Sequence, residues 1–130
     1  MVLAQDELMV VLPEDHPLAD CSFFPMDALC REPFLLLEKD KNIVVSDIFR
    51  KHHLKPDIRF TTWVDYSIMS MVESKLGISI LPSLVLQRIP YHIVIKRLEI
   101  PEYRKIGLAM LDKRGSSAAV KEFIKYLDKL

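Results

Sequence analysis

The stretch DYSIMSMVESKLGISILP, residues 65–82, contains a helix, a tight turn and a buried strand in immediate succession. Asp65 is expected to cap the helix, because a carboxylate there can accept hydrogen bonds from free amide groups. The apolar residues recur at helical spacing and predict a buried face of Ile68, Met71, Val72 and Leu76. Gly77 stands where a left-handed residue closes a helix, and the apolar run 78–82 is typical of a strand covered on both faces.

On the N-terminal side of this stretch, strands and helices alternate. LMVVLP (8–13) and PFLLLE (33–38) are short continuous apolar runs, as in buried strands, and one helical turn fits residues 24–29 between them. Residues 43–54 predict a helix that Asn42 or Asp40 caps. Its apolar face would consist of Val45, Ile48, Phe49 and His52.

On the C-terminal side, HIVIKRLEI (92–100) and residues 105–111 of KIGLAMLD predict two more strands. Before the opening stretch, DIRFTT (57–62) alternates like another strand. Ser116 or Ser117 is expected to cap a last helix at 116–130. The apolar stripe of that helix would be Val120, Phe123, Ile124 and Leu127. This alternation predicts an α/β fold, a three-layer sandwich around a mainly parallel central sheet.

Composition excludes several classes of protein. The chain has 130 residues, and its 18 basic and 18 acidic side chains balance, so charge indicates neither a nucleic-acid surface nor an anionic-membrane surface. No apolar run is long enough to span a bilayer, and the N-terminal residues do not read as a signal peptide. Cys21 and Cys30 form no disulfide framework, which is typical of a reducing compartment.

Motifs for catalysis, cofactors and metals are missing from the sequence. The three glycines are isolated and cannot form a phosphate-binding loop. His52 and His53 are adjacent and would point about a hundred degrees apart on a helix, so they cannot share a metal ion. We therefore expect no catalytic residue, no cofactor and no metal.

His16, in the segment EDHPLAD (14–20), is a candidate active-site residue because it stands between an acid and a proline. Pro13 and Pro17 stop sheet pairing and fix the backbone, and acidic residues favour turns. We expect His16 to cap or solvate the turn that ends the first strand.

Four segments occur in an order that identifies a family. ELMVVLPEDHPLAD (7–20), REPFLLLE (31–38), DIFRKHHLKPDIRFTT (47–62) and DYSIMSMVESKLGISILP (65–82) together resemble the effector-binding domain of bacterial LysR-type transcriptional regulators. Lys75 stands where many members have glycine. The resemblance implies a periplasmic-binding-protein-like lobe, a cytoplasmic location, no catalysis, and a role in sensing a small molecule in a cleft between two lobes.

The resemblance also implies a domain organisation. Residues 1–130 would be a single effector-binding fragment, with the second regulatory lobe at about 7–106. Residues 8–13 and 105–111 would be the crossover strands, and the helix at 116–130 would pack on the first lobe. The first lobe and the DNA-binding domain would be absent, so DNA would be bound only through that N-terminal domain.

Two loops are expected to hold the effector, because open α/β sheets bind ligands beyond the carboxyl ends of their strands. The first loop follows the strand at 33–38 and the second precedes the helix that begins near Asp65. The predicted contacts are Lys39, Asp40, Asn42, Ile43, Val44, Thr62, Trp63, Asp65 and Tyr66. Lys39 and Lys41 favour an acidic effector, although a solvated charged loop would look the same.

The predicted partners are thus a small-molecule effector and a second copy of the chain, with no membrane contact. The stripe of Val120, Phe123, Ile124 and Leu127 must be covered, either because the helix folds back onto its own sheet or because two copies cover each other, and we favour the homodimer. Two alternatives share the sequence features. They are the solute-binding lobe of a transport system, which has the same fold, and a small α/β enzyme, which no motif favours.

Overall fold

The structure is a computed structural model that describes residues 1–38 and 44–129. Seven strands and three helices follow one another within these residues. The strands are β1 (Val2–Pro13), β2 (Phe23–Phe24), β3 (Pro33–Leu37), β4 (Asp57–Thr62), β5 (Ser79–Pro82), β6 (Ile93–Leu98) and β7 (Tyr103–Gly107). The helices are α1 (Val44–Lys51), α2 (Asp65–Glu73) and α3 (Ala118–Leu127), with short 3-10 segments at Asp27–Cys30 and Ser83–Leu86.

The chain divides into two compact units. Asp6–Arg104 form the larger unit, and Met1–Gln5 with Lys105–Leu130 form the smaller one. The larger unit contains most of the sheet together with α1 and α2, and the smaller unit contains α3.

The sheet of the larger unit is mixed. β3 runs parallel to β4 and joins β5 through a parallel bridge between Phe34 and Ile78. β1 pairs antiparallel with both β5 and β6, and β2 pairs parallel with β6. The expected mainly parallel sheet is therefore correct around β3 and wrong around β1. A continuous apolar run indicates that a strand is buried on both faces, and β1 is buried in this way. Such a run does not encode the direction of the strand.

Two apolar clusters cover the two faces of this sheet, which confirms the three-layer arrangement. One cluster combines Leu8, Val10 and Leu12 of β1 with α1 residues Val45, Ile48 and Phe49. The other combines Val11 of β1 and Leu35 of β3 with α2 residues Ile68, Met69 and Val72. Successive strand residues point to opposite faces, so one strand contributes to both clusters.

The end of α2 differs from the expected pattern. Met69 is buried although it was not part of the predicted face, and Leu76, which was predicted to be buried, is 47% exposed. The left-handed residue is Lys75, with a φ of 64°, whereas no glycine has a positive φ among the described residues. Gly77 is required for a different reason, because a Cβ there would lie 2.4 Å from the carbonyl oxygen of Pro33.

The other elements lie where they were expected, but β1 begins at Val2, six residues before the predicted start at residue 8. Ser117 caps α3 by accepting a hydrogen bond from the amide of Val120. The last strand is Tyr103–Gly107, so it begins and ends earlier than the predicted 105–111. The expected caps of α1, Asn42 and Asp40, lie outside the described residues.

Candidate functional site

A pocket opens at the edge of the larger unit where β3 and β5 end and where α1 and α2 begin. Its volume is about 80 Å³. The lining residues are Leu8, Leu37, Val44, Val45, Asp65, Pro82, Val85 and Arg104. Most of the wall is apolar, and Asp65 and Arg104 bring opposite charges to it. Apolar walls with few polar groups are typical of small-molecule sites.

Arg104 is held in place by a buried carboxylate. The Arg104 Nε donates to Asp6 Oδ2 at 2.8 Å, and the Nη2 lies at the same distance from that oxygen. The other oxygen of Asp6 accepts from the Ser83 hydroxyl at 2.9 Å and from the Leu84 amide at 3.1 Å. The Asp6 side chain is fully buried, whereas that of Arg104 is 29% exposed. Every oxygen of the buried group is hydrogen-bonded, as a buried charge requires.

This arrangement presents a fixed cation to the pocket. A guanidinium has five N–H donors, and Asp6 engages those on Nε and one side of Nη2. The remaining donors are available to a carboxylate or phosphate, which Arg recognises through paired hydrogen bonds.

Of the residues that the sequence analysis predicted for this site, Val44 and Asp65 line the pocket. Thr62, Trp63 and Tyr66 are not among its lining residues. Trp63 is 65% exposed, and Tyr66 is 59% exposed with its ring 6.3 Å from that of Tyr91. The four remaining predicted contacts, Lys39, Asp40, Asn42 and Ile43, lie outside the described residues.

Asp65 does not have the capping role that the sequence suggested. Val64 is the N-cap of α2, no side chain caps the helix, and Asp65 is the first helical residue. A carboxylate in the first turn still interacts favourably with the helix dipole. Its side chain is therefore free to face the pocket, to which it contributes an acceptor.

Sequence reasoning missed Asp6 and Arg104, which are 98 residues apart. No local motif connects two such residues. One signal was present, because strand alternation places Asp6 on the same face as Leu8, Val10 and Leu12. A carboxylate on a buried face needs a partner, so this pattern indicates a cation elsewhere in the chain that pairs with Asp6.

His16, at the opposite edge of the larger unit, has a structural role as expected. Its Nδ1 accepts from the Leu18 amide at 2.9 Å, and its Nε2 lies 2.5 Å from Glu32 Oε1. These two contacts fix the orientation of the ring and the turn that follows β1.

The described residues contain neither a metal-binding cluster nor a membrane-spanning helix. Across 1–38 and 44–129, no three His, Cys, Asp or Glu side chains are arranged to hold a metal ion. No helix in that part of the chain has the length and apolar character needed to cross a membrane.

The family described as LysR substrate binding domain matches residues 1–130. The chain belongs to the LysR substrate-binding domain family. The uncharacterized HTH-type transcriptional regulator YvbU of Bacillus subtilis (strain 168) is 30% identical over 130 residues, which cover 98% of this chain and 44% of that protein. The chain thus spans less than half the length of this regulator.

Solved structures of the LysR family share the fold. The regulatory domain of CcmR from Synechocystis PCC6803, in complex with 2-PG, is 26% identical with a TM-score of 0.84, over 98% of this chain and 64% of that one. The effector-binding domain of QuiR, in complex with shikimate, is 25% identical with a TM-score of 0.83, and the match covers 98% of this chain and 62% of that one. The fold is therefore the periplasmic-binding-protein-like α/β fold of LysR effector-binding domains. These similarities favour a regulatory domain over a transport lobe or an enzyme.

Proposed function

We propose that this LysR substrate-binding domain senses a small molecule bearing an acid group, which binds in the pocket at Arg104 and thereby controls transcription. The observation that carries the proposal is the Arg104 side chain, held by the fully buried Asp6 and exposed on one side to an otherwise largely apolar pocket. Fixing a cation in this way removes the cost of ordering it when a ligand arrives.

The family supports the same role, since two relatives were solved with small ligands and the curated relative is named a transcriptional regulator. A role in sensing requires binding without turnover, so the proposal includes no catalytic residue and no cofactor. Turnover of a bound acid by the protein would contradict it.

Calorimetric titration with small carboxylic acids, shikimate among them, tests the site. Arg104→Gln alone would leave Asp6 buried without its partner, which costs about 3–5 kcal/mol. The paired variant Asp6→Asn with Arg104→Gln keeps an acceptor for Ser83 and Leu84, and it is the informative one. We expect this variant to lose binding of every acid that the unmodified protein binds.

Arg59→Gln is the matched control. Arg59 is exposed, pairs with Asp57 on β4, and does not line the pocket. This variant removes the same charge and should leave binding unchanged. Binding that is equal in the paired variant and in the unmodified protein would refute the proposed site.

The proposal extends to partners and location. The balance of 18 basic and 18 acidic residues supports DNA contact through residues outside this chain. Sequence-specific retention of DNA by the chain alone, in a mobility-shift assay, would contradict this.

Family membership supports a cytoplasmic location, which recovery of the protein from a periplasmic fraction would contradict. We also propose a homodimer formed through the stripe on α3.

A further inference from the structure

We infer that the effector carries a protonated amine as well as an acid group, with the amine at Asp65, the acid at Arg104 and a small apolar body between them. This inference rests on the proposed function, because it names the ligand class for the same pocket. It assigns a separate role to Asp65.

The charges of the described residues at the pocket favour an effector that carries an amine as well as an acid group. The described lining residues include one cation, Arg104, and one anion, Asp65, and the fully buried Asp6 lies against the Arg104 guanidinium. Asp6 already pairs with the guanidinium, and an incoming carboxylate would add a third negative charge around one positive charge. Like charges in a partly buried site repel strongly because the local dielectric is low. A ligand with an ammonium group next to its acid group removes this repulsion.

Asp65 is placed to receive that ammonium group. It is half-buried, lines the pocket and begins α2 without serving as its cap. Among the described residues, Arg104 pairs with Asp6 and not with Asp65, so the Asp65 carboxylate is not engaged by this cation. A carboxylate only accepts hydrogen bonds, and an ammonium group supplies three donors with the complementary charge.

The rest of the wall limits the body of the ligand. Leu8, Leu37, Val44, Val45, Pro82 and Val85 contribute apolar surface, and the volume is about 80 Å³. An enclosed volume of this size holds an apolar group of only a few carbon atoms. The ligand class is therefore a small aliphatic amino acid or a close amino-carboxylate.

A matched ligand series on one carbon skeleton tests the inference. Leucine, 2-hydroxy-4-methylpentanoate and 4-methylpentanoate differ only in carrying an ammonium, a hydroxyl or a hydrogen beside the carboxylate. Titration calorimetry at neutral pH should give an affinity for leucine that is about tenfold or more above that for 4-methylpentanoate, the effect of one charge-assisted hydrogen bond. Asp65→Asn should remove this preference, because the amide keeps the shape and loses the charge.

The same variant provides an internal control. Asp65→Asn leaves Arg104 and Asp6 intact, so 4-methylpentanoate should bind it at least as well as it binds the unmodified protein. The paired variant Asp6→Asn with Arg104→Gln should bind none of the three compounds.

The outcomes separate the inference from the proposed function. If 4-methylpentanoate binds as tightly as leucine and both depend on Arg104, the acid site stands and the amine site is refuted. If the hydroxy acid equals leucine and responds equally to Asp65→Asn, Asp65 recognises a hydroxyl and the amino-carboxylate class is wrong. The inference is refuted if none of the three compounds binds, or if neither variant changes their binding. If the paired variant binds them like the unmodified protein, the proposed site is refuted as well.

Discussion

Lys75 has a backbone conformation that residues with a Cβ normally avoid. Its φ is 64°, and it closes α2 with a pair of hydrogen bonds. The Lys75 amide donates to the carbonyl of Val72, and the Leu76 amide donates to that of Met71. This is the Schellman arrangement, in which glycine is the usual residue at the left-handed position. Lys75 also pairs with Asp15 at 2.7 Å, and this pair lowers the pKa of Asp15 through a hydrogen bond in spite of some desolvation.

Replacing this residue, Lys75→Gly, should stabilise the protein by about 0.5–1 kcal/mol, because the left-handed conformation costs an L residue about 1–2 kcal/mol and the flexibility of unfolded glycine offsets part of that. The measurement is urea unfolding followed by circular dichroism, with the midpoint expected to rise at constant slope.

Lys75→Ala is the control, since it keeps the Cβ and removes the amine. Both partners of the ion pair are well exposed, with side-chain exposures of 65% and 62%, so alanine should have little effect. Equal losses in the glycine and alanine variants would show that the ion pair outweighs the backbone strain.

Gly77 is constrained by space rather than by its φ. A Cβ would lie 2.4 Å from the Pro33 carbonyl oxygen, which itself accepts from the Ile78 amide where β3 meets β5. Gly77→Ala should therefore destabilise the protein by about 1–3 kcal/mol, the range for overpacking a close contact.

Gly115→Ala is the comparison for this variant. A Cβ there would lie 2.6 Å from Asp112 Oδ2, the end of a flexible side chain that can move away. Thermal unfolding should show a clear loss for Gly77→Ala and a small one for Gly115→Ala. Equal losses would mean that the contact with Pro33 is relieved by a backbone shift.

At the scale of elements, one carboxylate connects the end of α1 to the turn before β7. Glu102 Oε1 lies 2.8 Å from Lys51 Nζ and 2.8 Å from His52 Nε2. The Glu102 side chain is 13% exposed and that of His52 is 15% exposed. Burial raises the pKa of Glu102, but the hydrogen bonds from Lys51 and His52 outweigh it, and the pKa lies below its ordinary value of 4.5. Since α1 carries Val44 and Val45, and β7 carries Arg104, this connection joins two walls of the pocket.

Glu102→Gln should lower the free energy of unfolding at neutral pH by about 1.5–3 kcal/mol, the range for hydrogen bonds to a charged group. The pKa of Glu102 is lower in the folded than in the unfolded protein, so its contribution is present above the unfolded value and is lost as pH falls through the folded value. The difference in free energy of unfolding between Glu102→Gln and the unmodified protein should therefore be smaller in acid. Urea unfolding at neutral pH and at a pH below 4.5 measures this difference.

Glu122→Gln is the matched control on α3. Glu122 pairs with Lys125 at 3.4 Å, and both side chains are well exposed, so its replacement should not change stability at either pH. A Glu102→Gln effect that does not change with pH would show that packing, and not charge, makes the connection.

At the scale of the whole molecule, the apolar stripe of α3 is only partly covered. Ile124 is buried and Leu127 is half-buried, whereas Val120 is 41% exposed and Phe123 is 57% exposed. The exposed half is the part available for association, and the predicted homodimer rests on it.

Phe123→Asp should convert a dimer into a monomer, because a carboxylate cannot be buried in an apolar contact without a large cost. Light scattering over a wide range of protein concentration measures the change, and circular dichroism checks that the variant is folded. Lys125→Asp, on the exposed opposite face, is the control and should leave association unchanged. A monomer at every concentration before any substitution would refute the proposed dimer.

The sequence by itself determined the layers of this protein. Apolar periodicity located the strands and the buried face of α1, and the run at 8–13 showed that β1 is covered on both sides. The order of four motifs identified the family that the whole chain matches. These features are local, since propensity, capping and burial are written in consecutive residues.

Only the tertiary structure decided strand direction and the composition of the pocket. β1 runs antiparallel to β5 and β6 although its composition resembles that of a parallel strand. Asp6 and Arg104 come from opposite ends of the larger unit and meet because β1 and β7 pair. Likewise, Asp65 lines the pocket rather than capping its helix. A contact between residues far apart in the chain depends on how the whole sheet closes, and no short stretch of sequence encodes that closure.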